Sequence, residues 1–392
     1  MTQQQSTLIL LIKSALTGKP CSLPDDTDIA EIFQIAKYHG VDVMAYYGAL
    51  LCGVDKNIDT MREETMRVYQ SITIGETQMA AVRRITNGLE SLGVAHMPLK
   101  GVLLKALYPH SEMRRMGDAD ILIDCEKYEA VRSFMNELGY TEKYESDHEL
   151  VWKKKAVTIE FHKRLIPSYN KDYYQYYGDG WNLATLMDGY SFRYGMKPCD
   201  EMVYLFTHYA KHYRDAGIGI RHIVDLWVYC QHHPDMDAAY IRSELQKLQL
   251  LEFYDNTMRT LHVWFEGYPA DEITEYISQF IFTSGEFGRA HTSNLSSALK
   301  YAKSGQSEQT IKRRRAMRTL FPGYEEMCRN YKILKKVPVL LPIMWLVRIF
   351  EKVFIKKRTR RFIDRQLKVD ANEVSEYQQS LNFVGLDFHF SE

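Results

Sequence analysis

The stretch Gly117–Asp124 reads GDADILID and carries the clearest fold signal in the chain. Polar and apolar residues alternate in its first half and an apolar run follows, which is typical of a β-strand with one face in a protein core. In a strand, residues i and i+2 point to the same face. The carboxylates of Asp118 and Asp120 are therefore expected side by side, with Ala119 and Ile121 directed into the core.

The segments around this strand predict a small α/β core. They comprise, in order, a strand over Val94–Leu99, a helix over Gly101–Leu107, a helix over Glu126–Leu138, and hairpin strands over His148–Trp152 and Val157–Leu165. Short apolar runs bounded by polar turns favour strands, whereas the longer segments have apolar residues at helical spacing. Residues 93–166 thus predict a β-α-β-α-β-β block.

The remainder of the chain is predicted to be helical. Helical spacing of apolar residues extends over Asp28–Leu51, Thr60–Leu92, Asp200–His232, Ala238–Gly267 and Asp271–Ser284. The pattern of Asp200–His232 is interrupted near Gly217 and Gly219. Met1–Leu16 lacks the basic start of a signal peptide and predicts an amphipathic helix. The expected fold class is α+β, with a small mixed β-sheet embedded in a largely helical chain. The expected domains are a helical region at 1–92, the α/β core at 93–195, a helical domain at 196–310 and a basic, partly helical segment at 311–392.

The charge of the chain is balanced in total but unevenly distributed. The 392 residues include 50 Lys+Arg and 50 Asp+Glu, and 45% of residues are hydrophobic, which excludes a collagenous or wholly disordered chain. Ile311–Lys368 alone contains 18 Lys/Arg and 4 Asp/Glu, a net charge of +14, so the rest of the chain carries −14. An acidic body is followed by a basic C-terminal segment.

Three interpretations of the basic segment are open. It could pack on the acidic body, which requires no further partner. It could make a peripheral contact with an anionic membrane surface, because Leu340–Phe354 is apolar and basic residues flank it. Nucleic-acid binding is disfavoured, because the segment has no recognised motif and no interleaved aromatic residues.

The cysteines and the longest apolar stretch indicate a cytoplasmic, soluble protein. The six cysteines show no CxxC pair and no framework spacing, as expected for reduced thiols. Val337–Val347 is too short to span a bilayer and contains Pro338 and Pro342.

The carboxylates indicate metal-dependent chemistry. If the strand that contains Glu160 neighbours the strand of Asp118 and Asp120, three carboxylates share one face of the sheet. Carboxylates this close repel one another unless a cation such as Mg²⁺ is bound between them. Such a set can hold two metal ions about 3.5–4 Å apart for a phosphoryl displacement. The alternative is an ordinary solvent-exposed acidic strand face.

Basic residues near the carboxylates favour phosphate binding. Lys100 and Gly101 follow a buried strand and open a helix, where backbone N–H groups and the helix dipole attract anions. Arg114 and Arg115 precede the aspartates closely and could reach phosphate oxygens.

Histidines and tyrosines provide further candidates. His162 follows Glu160 by two residues and shares its strand face. His208 and His212 share a helix face, but Tyr209 occupies the place of the glutamate in a zinc-binding HExxH motif. The alternatives for this pair are a cleft wall and a polar helix face. Five tyrosines that follow the hairpin could stack a base, or could belong to a loop packed on the body: Tyr169, Tyr173, Tyr174, Tyr176 and Tyr177.

In combination these residues resemble the uncharacterised bacterial nucleotidyltransferase-like family, within the polymerase-beta-type nucleotidyltransferase superfamily. The resemblance is carried by Pro98–Gly101, Tyr108-Pro109, Arg114, Met116–Ile123 and Ile159–His162, and it continues through His208, Lys211, His212, Arg221, Asp225, Phe321-Pro322, Tyr331, Leu341-Pro342 and Trp345.

The resemblance implies a sheet that bears metal ligands and a helical domain that closes over a nucleotide. It implies two Mg²⁺ ions held by Asp118, Asp120 and Glu160, with Glu160 also a candidate base. It implies nucleotide contacts from Lys100, Gly101, Arg114, Arg115, His162, His208, Lys211, His212 and Asp225. The implied reaction is transfer of a nucleoside monophosphate from an NTP to an unidentified hydroxyl or phosphate acceptor.

One position departs from the wider superfamily. Its usual phosphate loop has Gly-Ser, whereas Val102 follows Gly101 here. An alternative function is therefore a non-catalytic module that binds a nucleotide or a partner through a degenerate site. A third hypothesis is a biosynthetic enzyme that docks on a membrane through its basic segment.

Overall fold

In the computed structural model of the chain, the four predicted strands and one further strand form a mixed sheet in the order β1-β2-β5-β4-β3. The strands are β1 (His96–Pro98), β2 (Ala119–Ile123), β3 (Thr141–Glu145), β4 (Glu149–Lys154) and β5 (Val157–His162). β2 and β5 are parallel, and the other neighbouring strands are antiparallel. A short second hairpin consists of β6 (Thr185–Leu186) and β7 (Tyr194–Gly195).

Helices account for most of the remaining described chain. They are α1 (Gln3–Thr17), α2 (Ile29–Tyr38), α3 (Asp42–Leu51), α4 (Asp59–Ser91), α5 (Gly101–Leu104), α6 (Tyr128–Glu137), α7 (Lys171–Tyr177), α8 (Pro198–Asp215), α9 (Ile220–His232), α10 (Ala238–Lys247), α11 (Leu251–Glu266), α12 (Glu272–Ser284), α13 (Ala290–Leu299), α14 (Leu341–Phe350) and α15 (Ala371–Phe383). The expected α+β class, a small mixed sheet in a largely helical chain, is confirmed.

The structure describes residues 1–168, 170–286, 288–299, 317, 321–324, 327–328, 331–350 and 371–386. Two compact units divide them. The first contains Met1–Tyr213, Gly217–Gly288 and Val384–Glu392, and the second contains Arg214–Ala216 and Arg289–Phe383. The basic clusters at 312–315 and 356–361 lie outside the described residues, so the three interpretations of the basic segment stay predictions.

One face of the five-stranded sheet forms the core of the first unit. Ala119, Ile121, Ile159 and Phe161 are buried in one cluster with Trp152 and with apolar residues of α4 and α6. Each fully buried large apolar side chain contributes roughly 1.5–3 kcal/mol to folding. The expected burial of Ala119 and Ile121 is confirmed, and the opposite face of the sheet is left for polar residues.

Two segments predicted as single helices are pairs of helices. Asp28–Leu51 divides into α2 and α3 at Gly40, which has φ +65°, and the amide of Val41 bonds back to the carbonyl of Ala36 at 2.9 Å. Ala238–Gly267 divides into α10 and α11 at Gln249, which has φ +57°. Both helices of each pair bury an apolar face, so the apolar spacing alone did not reveal the break.

β3 was missed because its sequence, TEKYE, has no apolar alternation. Four of its five residues are exposed, and it pairs only with β4 at the edge of the sheet. A charged, exposed edge strand is a common way of blocking further strand pairing.

The tyrosines after the hairpin form a helix instead of a loop or a stacking surface. Tyr173 and Tyr177 lie in α7 with 1% and 0% of their surface exposed. The Tyr177 hydroxyl is 2.8 Å from the hydroxyl of Thr207. These two tyrosines are therefore neither a stacking surface for a base nor part of a loop, because their rings are buried within a helix. Tyr169 lies outside the described residues.

The second unit contains a small apolar cluster and one exposed apolar helix. Met327, Cys328 and Leu334 are buried together, and the indole of Trp345 donates to the carbonyl of Pro322 at 2.9 Å. α14 leaves Leu346 67% exposed. Within the described ranges, no helix combines the length and the hydropathy needed to cross a bilayer.

Gly48 sets the distance between α1 and α3. A Cβ at this position would lie 2.0 Å from the carbonyl oxygen of Leu11, a backbone atom that cannot rotate away. We expect Gly48→Ala to destabilise the protein by about 1–3 kcal/mol, although alanine favours helix. Urea denaturation would measure the change. At Gly117 a Cβ would meet open space, so Gly117→Ala is the control and should leave stability unchanged. Equal stability of both variants would contradict the role of Gly48.

Candidate active site

A cleft of about 840 Å³ opens over the polar face of the sheet, within the first unit. Its volume is in the range of small-molecule binding sites. Its walls include every site residue selected from the sequence: Lys100, Gly101, Arg114, Arg115, Asp118, Asp120, Glu160, His162, His208, Lys211, His212 and Asp225. The fold therefore brings these twelve residues into one cleft from the sheet, the connection between β1 and β2, α8 and α9.

The sheet register places two of the three carboxylates next to each other. Asp120 on β2 is the direct partner of Glu160 on the parallel strand β5. Oxygen atoms of both and a ring nitrogen of His162 lie within 4.8 Å of one another, close enough to share a metal ion. Asp118 lies one residue before β2 with an exposed side chain and is outside this group.

Lys100 provides the positive charge at the centre of the cleft. Its ammonium nitrogen is 3.4 Å from Oδ1 of Asp120. Burial opposes both charges, but Lys100 and a hydrogen bond with His162 hold the pKa of Asp120 well below its usual range. Lys100 also has φ +45°, an uncommon conformation for a residue with a side chain. Such local strain is often found at functional sites.

The other two carboxylates are not fully compensated. Loss of solvation and repulsion from Asp118 and Asp120 raise the pKa of Glu160 to about 8. Asp118 is open to solvent on one side, but loss of solvation on the side of the cleft and repulsion from Asp120 also raise its pKa. Lys100 does not offset the local repulsion among these three carboxylates, and a bound divalent cation would relieve it.

His162 connects Asp120 to a second histidine. Its Nε2 is 2.6 Å from Oδ1 of Asp120, and its Nδ1 is 3.2 Å from Nε2 of His148. Burial, together with the neighbouring His162, lowers the pKa of His148 to about 2, so this imidazole is neutral near pH 7.

Arg114 and Asp225 form a buried ion pair in the cleft wall. Nε and Nη2 of Arg114 donate to the two oxygens of Asp225 at 2.8 and 2.9 Å, and the Tyr108 hydroxyl donates to Oδ1 at 2.7 Å. A Cβ at Gly101 would lie 2.8 Å from Nη1 of Arg114. The glycine thus leaves room for the guanidinium, and both charged groups selected as nucleotide ligands are engaged with each other.

Two further arginines in the cleft are also paired. Arg115 contacts the buried carboxylate of Asp42 at 2.5 Å. Arg221 contacts Glu286 at 3.1 Å and donates to the carbonyl of Arg115 at 3.1 Å. A phosphate group would have to compete with these carboxylates for the guanidinium groups.

The histidine pair of α8 lines the same cleft. Nε2 of His208 and Nε2 of His212 are 3.1 Å apart, and Lys211 lies between them in sequence. Burial and the nearby Lys100 lower the pKa of His208 well below its usual value. Within the part of the chain that the structure describes, no third ligand joins the pair within 4.8 Å. The geometry thus favours a cleft wall over zinc for these two residues.

The turn after β1 uses its own amide groups. The amide of Val102 bonds to Leu99, and those of Leu103 and Leu104 bond to Lys100, at 3.2, 3.0 and 2.9 Å. The side chain of Val102 is buried in the core of the sheet. These three amides are therefore already engaged, and the side chain of Lys100 is the charged group that this turn offers to a phosphate.

Several cleft residues were not selected from the sequence, including His148, Glu149, His222 and Glu286. Glu149 faces His162 across the β4–β5 ladder, so the register of the predicted hairpin could have identified it. Glu286 follows α12 and reaches Arg221 through the tertiary fold. No local pattern in the sequence indicates that contact.

A family model covers the part of the chain that forms most of this cleft. The model of a family described as an uncharacterised nucleotidyltransferase matches residues 25–266, more than half of the chain. The match includes the whole sheet and all twelve candidate residues. Neither a curated protein nor a solved structure matches the chain. The chain belongs to the uncharacterised nucleotidyltransferase family.

Proposed function

We propose that this protein is an Mg²⁺-dependent nucleotidyltransferase. It transfers a nucleoside monophosphate from an NTP to a hydroxyl or phosphate group of an acceptor and releases pyrophosphate. The observation that carries the proposal is the direct pairing of Asp120 and Glu160 on parallel strands, at the base of a cleft of ligand size. Membership of the family supports the transferase class.

The residues present fit a metal of the Mg²⁺ type. Asp118, Asp120 and Glu160 offer carboxylate oxygens, the donors that Mg²⁺ prefers, and their mutual repulsion is relieved by divalent cations. We assign two ions to these three residues. When bound, Mg²⁺ supplies neutralisation of the charge on the phosphoryl oxygens.

The side chains of the cleft then act mainly by positioning and by charge. The ammonium group of Lys100 binds a phosphate oxygen and keeps its ion pair with Asp120, in which Nζ is 3.4 Å from Oδ1. Glu160, which lies beside Asp120 at the base of the cleft, accepts the proton of the attacking hydroxyl. His162 keeps Asp120 in place through their hydrogen bond.

The walls formed by α8 and α9 bind the rest of the nucleotide. His208, Lys211 and His212 present nitrogen donors and acceptors from one helix. The Arg114–Asp225 pair and Arg115 form the adjoining wall, where they orient the phosphates. We infer that the acceptor enters through the open side of the same cleft.

Direct measurement of binding and turnover tests this proposal. The purified full chain is titrated by calorimetry with each of the four NTPs, with Mg²⁺ and with EDTA, and pyrophosphate release is followed with a panel of acceptors. We expect Mg²⁺-dependent NTP binding with a dissociation constant of roughly 1 mM or lower, the usual range for enzyme substrates, and pyrophosphate release with at least one acceptor. Absence of NTP binding at millimolar concentration would overturn the proposal.

A second candidate function is a non-catalytic nucleotide-binding module. The observation that favours it is Val102, whose side chain is buried in the core and offers no hydroxyl to a terminal phosphate. The same experiment separates the two functions. NTP binding without pyrophosphate release across the acceptor panel would favour the module.

A further inference from the structure

Beside the carboxylates, a second group of ligand atoms lies on the β4 side of the sheet. Ligand atoms of His148, Glu149 and His162 lie within 4.8 Å of one another. His148 immediately precedes β4, and Glu149 pairs with His162 across the β4–β5 ladder. The side chains of the two histidines are 12% and 3% exposed, and that of Glu149 is 20% exposed. The sheet itself thus brings the group together and leaves it open to the cleft.

The separations match those of metal ligands. Nδ1 of His162 and Nε2 of His148 are 3.2 Å apart. Two imidazole nitrogens bound tetrahedrally to Zn²⁺ are separated by about 3.3 Å, given Zn–N distances of 2.0–2.1 Å. Oε2 of Glu149 is 3.9 Å from Nε2 of His148, and a small rotation of this partly exposed carboxylate would shorten that distance.

Neighbouring groups orient the ligand atoms. Nε2–H of His162 donates a hydrogen bond to Oδ1 of Asp120. The lone pair of the His162 ring is therefore on Nδ1, the atom that faces His148. A carboxylate behind a histidine ligand is a common support for a bound metal. The hydroxyl of Tyr144 donates to Oε1 of Glu149, so Oε2 is left toward the histidines.

Carboxylates lie close to both rings. Those of Asp120, Glu149 and Glu160 are each within 4 Å of a histidine nitrogen of this group. They offset Lys100, Lys211 and Arg164, the cations that act on His148. The donor set of two nitrogens and one oxygen is that of zinc sites that keep an open position.

We propose that His148, Glu149 and His162 form a binding site for Zn²⁺, distinct from the carboxylates assigned to Mg²⁺. The site has three protein ligands and a fourth position open to the cleft. Nitrogen donors favour Zn²⁺ over Mg²⁺, so the two metals are selected by different residues. The proposal does not depend on nucleotide transfer.

Metal titration of the full chain tests the proposal. Co²⁺, which reports its ligands through visible absorption, and then Zn²⁺ are added without NTP and with an excess of Mg²⁺. We expect one equivalent of Co²⁺ with the absorption of tetrahedral nitrogen and oxygen ligation, displaced by one equivalent of Zn²⁺. His148→Ala should lower the Zn²⁺ affinity by roughly 10–100-fold or more. Removing a residue that only supports a metal ligand already causes a loss of that size.

Matched controls separate this site from other metal ligands of the chain. His208→Ala removes one member of the other close histidine pair, and Cys21→Ser removes one of two thiols whose sulfurs are 2.7 Å apart. Both variants should bind Zn²⁺ as the wild type does. Glu149→Gln, which retains the shape of the side chain, should weaken binding and provides a second test if His148→Ala fails to fold.

Three results would overturn the site: no Zn²⁺ binding by the wild type, unchanged binding by folded His148→Ala and Glu149→Gln, or loss of the bound equivalent in either control. Because no NTP is present, a negative result leaves the test of nucleotide transfer unaffected. Conversely, failure to release pyrophosphate would leave the Zn²⁺ result unchanged.

Discussion

Asp120→Asn is expected to lower the rate of pyrophosphate release by roughly 10²–10³-fold, the loss typical of removing one electrostatic group from an active site. Asparagine has the size of aspartate, and its amide oxygen can still accept the hydrogen bond from His162 at 2.6 Å. The substitution removes the negative charge that would hold a divalent cation and that now lies 3.4 Å from Lys100. The carboxylates of Asp118 and Glu160 still act on Lys100, so the fold should persist while the chemistry is lost.

The measurement compares initial rates at saturating NTP and Mg²⁺ for the wild type, Asp120→Asn and Asp124→Asn. Asp124 lies just beyond the other end of β2, where it caps a turn by accepting the amide of Glu126 at 3.0 Å. It is outside the cleft, so Asp124→Asn should retain wild-type activity. Equal rates for Asp120→Asn and the wild type would exclude Asp120 from catalysis. Circular dichroism of both variants checks that each is folded.

The carboxylate face could be predicted because strand geometry is local. The two-residue period of β-structure determines which side chains share a face, whatever the rest of the chain does. It correctly directed Ala119 and Ile121 into the core. The same period could not determine the residue at which strand pairing starts. β2 begins at Ala119, so Asp118 lies outside the ladder and is not part of the group formed by Asp120, Glu160 and His162.

The partners of charged residues could not be predicted in the same way. Arg114 and Asp225 are separated by 111 positions, and only the tertiary fold brings the guanidinium to the carboxylate. The sequence therefore indicated two independent nucleotide ligands.

The same limit applies to Cys21 and Cys52, whose spacing suggested no pairing. Their sulfur atoms nevertheless lie 2.7 Å apart.

The boundary between two consecutive helices was not predicted where the apolar spacing continued across the turn between them. The residues on both sides of Gly40 bury apolar side chains, so one period extended across two helices. The left-handed conformation at Gly40 is a feature of one residue and is visible only as a glycine in the sequence. Local patterns thus predicted the elements, and contacts between distant elements determined the site.

Asp225→Asn is expected to destabilise the protein by about 3–5 kcal/mol, the cost of leaving a buried charge without its partner. The side chains of Arg114 and Asp225 are each only 8% exposed. Asparagine fits the same space, so the loss would come from the uncompensated guanidinium and not from a cavity. Urea denaturation of the wild type and the variant would measure the free energy of unfolding. Asp255→Asn breaks the exposed ion pair with Arg242 and should have little effect.

A double variant separates the structural role of this pair from nucleotide binding. Arg114→Met with Asp225→Leu removes both charges and replaces them with apolar side chains, so most of the lost stability should return. If the pair also orients phosphates, the double variant should remain folded and yet bind NTP more weakly than the wild type. Unchanged NTP binding would limit the pair to a structural role. A stable Asp225→Asn variant would instead show that another carboxylate in the cleft, such as Asp120, compensates the charge of Arg114.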